Sequence, residues 1–422
     1  MINPVMEMKA KECYEAGLKH YALGAINKNV MMALEQFSKA ATLGYADANY
    51  FLGRIHTLGD QVAIDYSVAN AYYEEGIRQH SFKSLYAYGL MFYHGLGVAK
   101  DEMEAKTLLE RAFRPLLEEA KKKDPVSMYM IGTYYYYGFG VTPSLFQAMD
   151  WLNHAASLDY ADAQYMLGMI HESQAENDQQ RRIAKALYEK AALQHHSYAL
   201  YGLAMMALEE ENQKQAILYL EQAARQNYAL AAFSLGMIYH EKEPKHPEKA
   251  FEWFVEAAKG DHKEALYYVG LYYHQGKGVT KDLDQAILWY KKAALKSEKN
   301  ALYHLAMILK GQQTEDSSSV YTLLHEAAKQ DHPHAQYNLG VMHHKGDGIP
   351  QDDEKAFYWY EKASKTLASA QYNLGMMYFE GKVVPKDEIK ARDLWEKAAS
   401  SGFQPAVKLM YSIKNYEKLQ KS

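Results

Sequence analysis

Apolar residues along this chain recur at offsets of three, four and seven, the spacing that gathers side chains on one face of a helix. Aligned on one glycine column, the pattern repeats. Gly17, Gly53, Gly89, Gly132, Gly168, Gly202, Gly236, Gly270, Gly340 and Gly375 fall 34 to 36 residues apart, with two exceptions. The step from Gly89 to Gly132 is 43 residues, and Ala306 stands in the glycine's place between Gly270 and Gly340, which makes eleven copies. Three residues before the glycine is an aromatic column: Tyr14, Tyr50, Tyr86, Tyr129, Tyr165, Phe233, Tyr267, Tyr303, Tyr337 and Tyr372, with Ala199 as its one small member. Five before it the residue is small, as at Ala48, Ser84, Ala163 and Ala335. The second half of each copy carries two alanine columns seven residues apart, such as Ala33 with Ala40 and Ala356 with Ala363. A bulky position lies between them, for example Phe37, Tyr73, Leu109, Tyr290, Tyr360 or Trp395.

These columns predict two amphipathic helices per copy, each of roughly 12–15 residues. Small residues let the helices approach and bulky ones fill the grooves beside them. One hairpin cannot bury both of its faces, so neighbouring copies must stack. The expectation is an all-α solenoid of helix-turn-helix repeats, a single array over 1–422 with its repeats at roughly 7–403. Residues 404–422 read as a closing helix over the last repeat, and residues 1–8 as short and loosely ordered. The surplus around 113–124 predicts a lengthened second helix, kinked or interrupted at Pro115.

The turns are patterned too. HGLGVAKD at 94–101, YGFGVTPS at 137–144, QGKGVTKD at 275–282 and KGDGIPQD at 345–352 are nearly alike, and EGKVVPKD at 380–387 lacks the second glycine. The glycines permit the positive φ that ends a first helix. Val98, Val141, Val279, Ile349 and Val384 can tuck under the hairpin, and Asp101, Ser144, Asp282, Asp352 and Asp387 suit the N-cap of the second helix. A phosphate-binding loop would need a following Lys-Ser/Thr, which these turns lack.

The copies AQYNLGVMHHKGDGIPQDDEKAFYWYEKAS at 335–364 and AQYNLGMMYFEGKVVPKDEIKARDLWEKAA at 370–399 resemble Sel1-like repeats, relatives of the tetratricopeptide repeat. The resemblance implies a right-handed superhelix of stacked helix pairs. It also implies scaffolds and adaptors for protein complexes, in bacterial and eukaryotic settings, with no shared reaction. Toxin-neutralising immunity proteins and secreted effectors acting on host proteins are alternatives within it, and a cell-wall-related hydrolase is a more remote one.

Charge narrows the partners. The net charge of −5 and the lack of a basic stripe argue against nucleic acid. One cysteine, Cys13, excludes an internal disulfide and suits a reducing compartment. The N-terminus shows no signal-peptide pattern and no segment reads as a membrane span, so the expected location is the cytoplasm, with signal-less secretion left open. No catalytic constellation stands out and no cofactor is implied; the chain reads as a binder of a partner protein. Its 18 histidines invite a metal. Yet a column of them, spaced about 10 Å apart by helix packing, cannot converge within the roughly 2 Å that a metal requires.

By analogy with tetratricopeptide arrays, the first helices line a concave groove through positions three before, one after and four after the glycine. The candidate partner-binding residues are Tyr86, Tyr129, Tyr267 and Tyr337 of the aromatic column, and Tyr93, Tyr136, His240, His274, His344 and Phe379 of the chemically varied column four after it. Tyrosine combines apolar area with a hydroxyl and is enriched in interface hot spots.

Overall fold

The computed structural model describes residues 4–21, 29–59, 61–175, 177–241, 246–312 and 317–420. Among them are 23 helices and no strand. The chain divides into two compact units, Met1–His262 and Lys263–Ser422. Unit 1 holds seven hairpins: α1 (Pro4–Tyr21) with α2 (Val30–Thr42), α3 (Asp47–Leu58) with α4 (Tyr66–Arg78), α5 (Phe82–His94) with α6 (Glu102–Lys121), α7 (Pro125–Tyr137) with α8 (Leu145–Ser157), α9 (Ala161–Ser173) with α10 (Asp178–Leu193), α11 (Ser197–Glu209) with α12 (Gln213–Ala224), and α13 (Ala229–Glu241) with α14 (Pro247–Lys259). Unit 2 holds four more: α15 (Lys263–Gln275) with α16 (Leu283–Leu295), α17 (Lys299–Gln312) with α18 (Ser317–Lys329), α19 (Pro333–Lys345) with α20 (Asp353–Ala363), and α21 (Ala368–Glu380) with α22 (Glu388–Ser400), followed by α23 (Gln404–Gln420). Within each unit every second helix also packs on the first helix that follows it, so the hairpins stack as a solenoid.

The glycine column exists for the bulky column of its own hairpin. A Cβ on Gly17 would lie 2.6 Å from the Phe37 ring, on Gly340 2.6 Å from Tyr360, and on Gly375 2.5 Å from Trp395. Where Ala306 replaces the glycine, the bulky column offers Leu324 and no ring. The small column five before the glycine is fully buried from Ala48 to Ala370. At Gly76 an added Cβ would collide with Ser84 of the next first helix, so these small residues set the spacing between copies.

The aromatic column ties each copy to the next. Within the units, Tyr14 stacks on Tyr45 (ring centroids 4.3 Å), Tyr165 on His196 (5.0 Å) and Tyr303 on His332 (4.6 Å). The second ring of each pair sits just before the first helix of the following copy. One position earlier the chain turns through the left-handed region, at His80, Lys123, Asp159, His195, Asn227, Asp261, Ser297 and Asp331. Asn, Asp and His tolerate that conformation better than other non-glycine residues.

One register differs from the sequence reading. α11 starts at Ser197, which places Ala204 where other copies have glycine, and not Gly202. The aromatic column then continues through Tyr201, whose ring meets Tyr228 at 5.5 Å, while Ala199 falls in the small column and is fully buried. Gly202 faces Tyr188 of the preceding hairpin instead of a residue of its own.

The turns follow the expectation. Gly95, Gly138, Gly346 and Gly381 end their helices in the left-handed conformation. Asp101, Ser144, Asp282, Asp352 and Asp387 accept N-cap hydrogen bonds from the second helices. The surplus residues do lengthen α6, to 20 residues, and the helix runs through Pro115 without a break. At the N-terminus, residues 4–8 belong to α1, not to a loose tail. α23 packs on α22 and buries Ala406 and Met410.

Candidate functional site

Three polar side chains from distant copies meet on the inner face of unit 1. Arg54 of α3 donates through Nη2 to both oxygens of Asp162 in α9, at 2.7 and 2.8 Å, across 108 residues of sequence. His196 brings Nε2 to 3.2 Å from the same carboxylate. Its Nδ1 accepts from the Ala199 amide at 3.2 Å, which leaves the proton on Nε2 to be donated to Asp162. All three side chains are less than one-fifth exposed. Burial alone would raise the Asp162 pKa, but Arg54 and His196 overcome it and hold the carboxyl well below the usual carboxylate range. Asn227 adds a second link, donating to the Gly59 carbonyl at 3.1 Å across 168 residues. Unit 1 therefore contacts itself across its inner face, where an open groove was expected.

Beside this clamp lies a cleft of about 440 Å³. Tyr50, Tyr86, Tyr129 and Tyr165 enter it from four consecutive copies, and Arg54, Leu90 and Met169 from the position one after the glycine. Several polar groups around it are satisfied internally. Thr57 donates to the Gly53 carbonyl and takes the Tyr73 hydroxyl at 2.9 Å, and the Tyr86 hydroxyl bonds Thr133 at 2.6 Å. Burial pushes the Tyr165 hydroxyl up to about 12. At the mouth stands an aromatic cluster: Tyr93 meets Phe139 at 5.3 Å, Tyr137 meets Phe139 at 5.3 Å, and Tyr136 meets Tyr137 at 4.8 Å. Tyr137 is 56% exposed and Tyr93 39%, so this rim presents ring surface to solvent.

Of the sequence candidates, Tyr86 and Tyr129 line the cleft and Tyr93 and Tyr136 stand in its rim cluster. The others lie elsewhere. His240 turns its ring to Phe254 (6.1 Å) at the far end of unit 1. In unit 2, Tyr267 and His274 surround Tyr290, and Tyr337 and His344 approach Tyr360, while Phe379 packs on Trp395. The varied column thus has an internal logic. In several copies its residue faces the bulky residue of its own hairpin and matches it: Thr57 and Glu172 bond the hydroxyls of Tyr73 and Tyr188, and Phe379 meets the indole of Trp395. Sequence reasoning missed Arg54, Asp162, His196, Tyr198 and Tyr137. The run of four tyrosines at 134–137 was the available signal for the rim.

Among the described residues no group of three His, Cys, Asp or Glu side chains could hold a metal ion, and no helix is long and apolar enough to cross a membrane.

Comparison with known proteins agrees with this architecture. The family model described as Sel1 repeat matches residues 10–45, 46–81, 83–114, 125–160, 161–196, 197–228, 229–262, 263–297, 333–365 and 368–403. The α17–α18 hairpin, built on Ala306, falls outside those matches. A protective antigen of uropathogenic Escherichia coli with an SLR fold is similar in structure, with a TM-score of 0.62 and 26% identity over 97% of this chain and 88% of that one. A Sel1 repeat protein from Oxalobacter formigenes gives a TM-score of 0.55 and 26% identity, covering 71% of this chain and 90% of that one. The chitin synthase regulator SKT5 of Saccharomyces cerevisiae is 26% identical over 272 residues, 60% of this chain. The chain spans only 38% of that relative's length.

Proposed function

The chain belongs to the Sel1 repeat family, and from that premise we propose that it is a non-catalytic scaffold that holds a partner protein at the inner face of unit 1. The observation that carries this reading is the tyrosine-lined cleft with its exposed aromatic rim. Aromatic anchors beside a desolvated pocket are the usual source of binding energy at protein interfaces. The yeast relative is named as a regulator of another enzyme, which is in keeping with a role exercised through binding. Tyr86 and Tyr129 act from the wall and Tyr93 and Tyr136 from the rim. His274, His344, Phe379, Tyr267 and Tyr337 form a second contact surface on unit 2, and His240 serves the far end of unit 1. α23 covers the apolar face of the last hairpin. The cytoplasm is the proposed site of action, in keeping with a single unpaired cysteine.

Affinity capture tests the reading. The chain carrying Tyr93→Ala and Tyr137→Ala is expected to lose its captured partner while its helical content is unchanged. Equal capture by the wild-type chain and this variant removes the cleft from the function. Separate loss on His274→Ala and His344→Ala would move the contact to unit 2.

A further inference from the structure

We propose that the Arg54–Asp162 clamp is a latch: unit 1 opens there with its hairpins intact, and the open form uncovers the part of the cleft wall that the clamp hides. The latch's role in docking rests on the protein-binding reading above. In a solenoid each copy is held by its immediate neighbours. The clamp is different, because it joins the second copy to the fifth, α3 to α9, across 108 residues of sequence. The stack of hairpins between them does not need that contact to stay folded.

The seam also differs in chemistry from the stack. Successive copies meet through fully buried alanines and ring pairs such as Tyr14 with Tyr45. At the seam, Tyr21 and Arg54 face Asp162, His196, Ser197 and Gln226 around a chamber of about 80 Å³. That is room for about two or three water molecules. Gln226 Oε1 is buried without a hydrogen-bond partner, a cost that opening removes. The second link across the inner face, Asn227 to the Gly59 carbonyl, comes from an exposed residue.

The clamp itself is a modest one. Nη2 of Arg54 serves both Asp162 oxygens, so the parallel two-nitrogen fork of the strongest arginine–carboxylate pairs is absent. Each ion also has a neighbour on its own side. Nη1 of Arg54 lies 3.5 Å from the Tyr50 hydroxyl one turn away in α3, and His196 Nε2 lies 3.2 Å from Asp162. Opening returns both ions to water with those neighbours in place, whereas removing one ion strands the other in the closed seam. A closed form favoured by such a margin leaves an open fraction of roughly 0.1–10%.

Opening has a specific consequence for two tyrosines. Tyr50 is 4% exposed, with Arg54 beside its hydroxyl and Tyr160 and Asp162 near it from the opposite side of the seam. Tyr86 is 5% exposed for another reason: its hydroxyl bonds Thr133 and its ring meets Tyr134, both in the next copy. Opening therefore uncovers Tyr50 and leaves Tyr86 covered.

The test uses the full chain carrying Cys13→Ser, with nitroxide labels at Ala71→Cys and Ala186→Cys, exposed positions on the second helices of the second and fifth copies. Electron paramagnetic resonance should give one dominant distance between the labels. Asp162→Asn should shift the equilibrium towards the open form at least about tenfold and bring out a longer distance, with helical circular dichroism unchanged. On the unlabelled Cys13→Ser chain, tetranitromethane should nitrate Tyr50 at least about tenfold faster once Asp162→Asn is added, while Tyr86 keeps its rate. Arg54→Met with Asp162→Leu replaces the ions by an apolar pair, and should keep the single distance and protect Tyr50. An unchanged distance and an unchanged Tyr50 in Asp162→Asn overturn the latch. Equal acceleration at Tyr50 and Tyr86 overturns it too, because the copies would then be unfolding and not parting. A seam that stays shut removes the latch and leaves the cleft reading standing. Partner capture indifferent to Tyr93 and Tyr137 removes the cleft reading, while the distances still show whether the seam opens.

Discussion

A single hydrogen atom in place of a methyl group decides how closely the two helices of each copy approach. Glycine inside a helix costs about 1 kcal/mol relative to alanine, so the nine glycines that keep this column need a packing return. Gly340 shows where it comes from: its missing Cβ would stand 2.6 Å from the Tyr360 ring. Gly340→Ala should destabilise the protein by about 1–2 kcal/mol, overpacking outweighing the gain in propensity. Urea unfolding checks this, and adding Tyr360→Leu should give a coupling that offsets part of the loss, as the natural pair Ala306 and Leu324 suggests. A second residue-level device is His332. Its ring stacks on Tyr303, its Nδ1 accepts from the Ala335 amide at 3.1 Å, and only 6% of the residue is exposed. Burial first, and then the neighbouring His334, His304 and Lys299, lower its pKa to about 4. An unfolded histidine titrates near 6.5. As pH falls from 7 towards 4 the unfolded chain binds a proton that the folded chain refuses, so stability falls by up to about 3 kcal/mol. Amide exchange at Ala335 should accelerate across that window. His332→Asn keeps an accepting cap without titrating, and should flatten the response.

At the scale of the helix, local chemistry was the most legible part of the sequence. A glycine that must turn left-handed and an aspartate that must accept amide hydrogen bonds act within a few residues of their partners, so HGLGVAKD and KGDGIPQD could be read directly as turns. The register of α11 could not. Two small residues, Gly202 and Ala204, compete for the column there, and what decides between them is the edge-to-face contact of Tyr201 with Tyr228 at the next copy. The left-handed residues that close the second helices, from His80 to Asp331, also escaped notice because none of them is glycine. α6 offers a direct test of helix energetics. Pro115 lies inside it with no amide to donate, and its ring crowds the carbonyl four residues earlier. Its neighbours Ala112 and Leu116 are fully buried, so the surrounding packing holds the helix together despite that defect. Pro115→Ala should stabilise the protein by roughly 2 kcal/mol, the regained bond outweighing the freer unfolded chain. A higher urea midpoint with an unchanged slope is the expected result. A lower midpoint would mean that the proline sets a geometry α6 needs.

At the scale of unit 1, the sequence located two sides of the candidate site and missed its floor. The columns three before and one after the glycine do share a cleft, because helical periodicity alone puts them on one face. The clamp was illegible, since Arg54 and Asp162 occupy different columns in copies far apart, and only the path of the stacked hairpins brings them within bonding distance. That pair now makes a demand on stability. Its carboxylate and guanidinium are 13% and 18% exposed, so removing one charge strands the other. Asp162→Asn should cost unit 1 about 3 kcal/mol, whereas replacing both partners by Leu and Met should recover most of it. The pH dependence separates this clamp from His332. Asp162 has a depressed pKa, so its contribution is complete above about pH 4, the unfolded value, and is lost only as pH falls below that. Between pH 7 and 4 the amides of α9 should therefore keep their exchange protection from the clamp while Ala335 loses its own. Asp162→Asn should lower α9 protection equally at every pH in that range. A loss at α9 that grows between pH 7 and 5 would instead show that its protection does not rest on the Arg54–Asp162 charge pair.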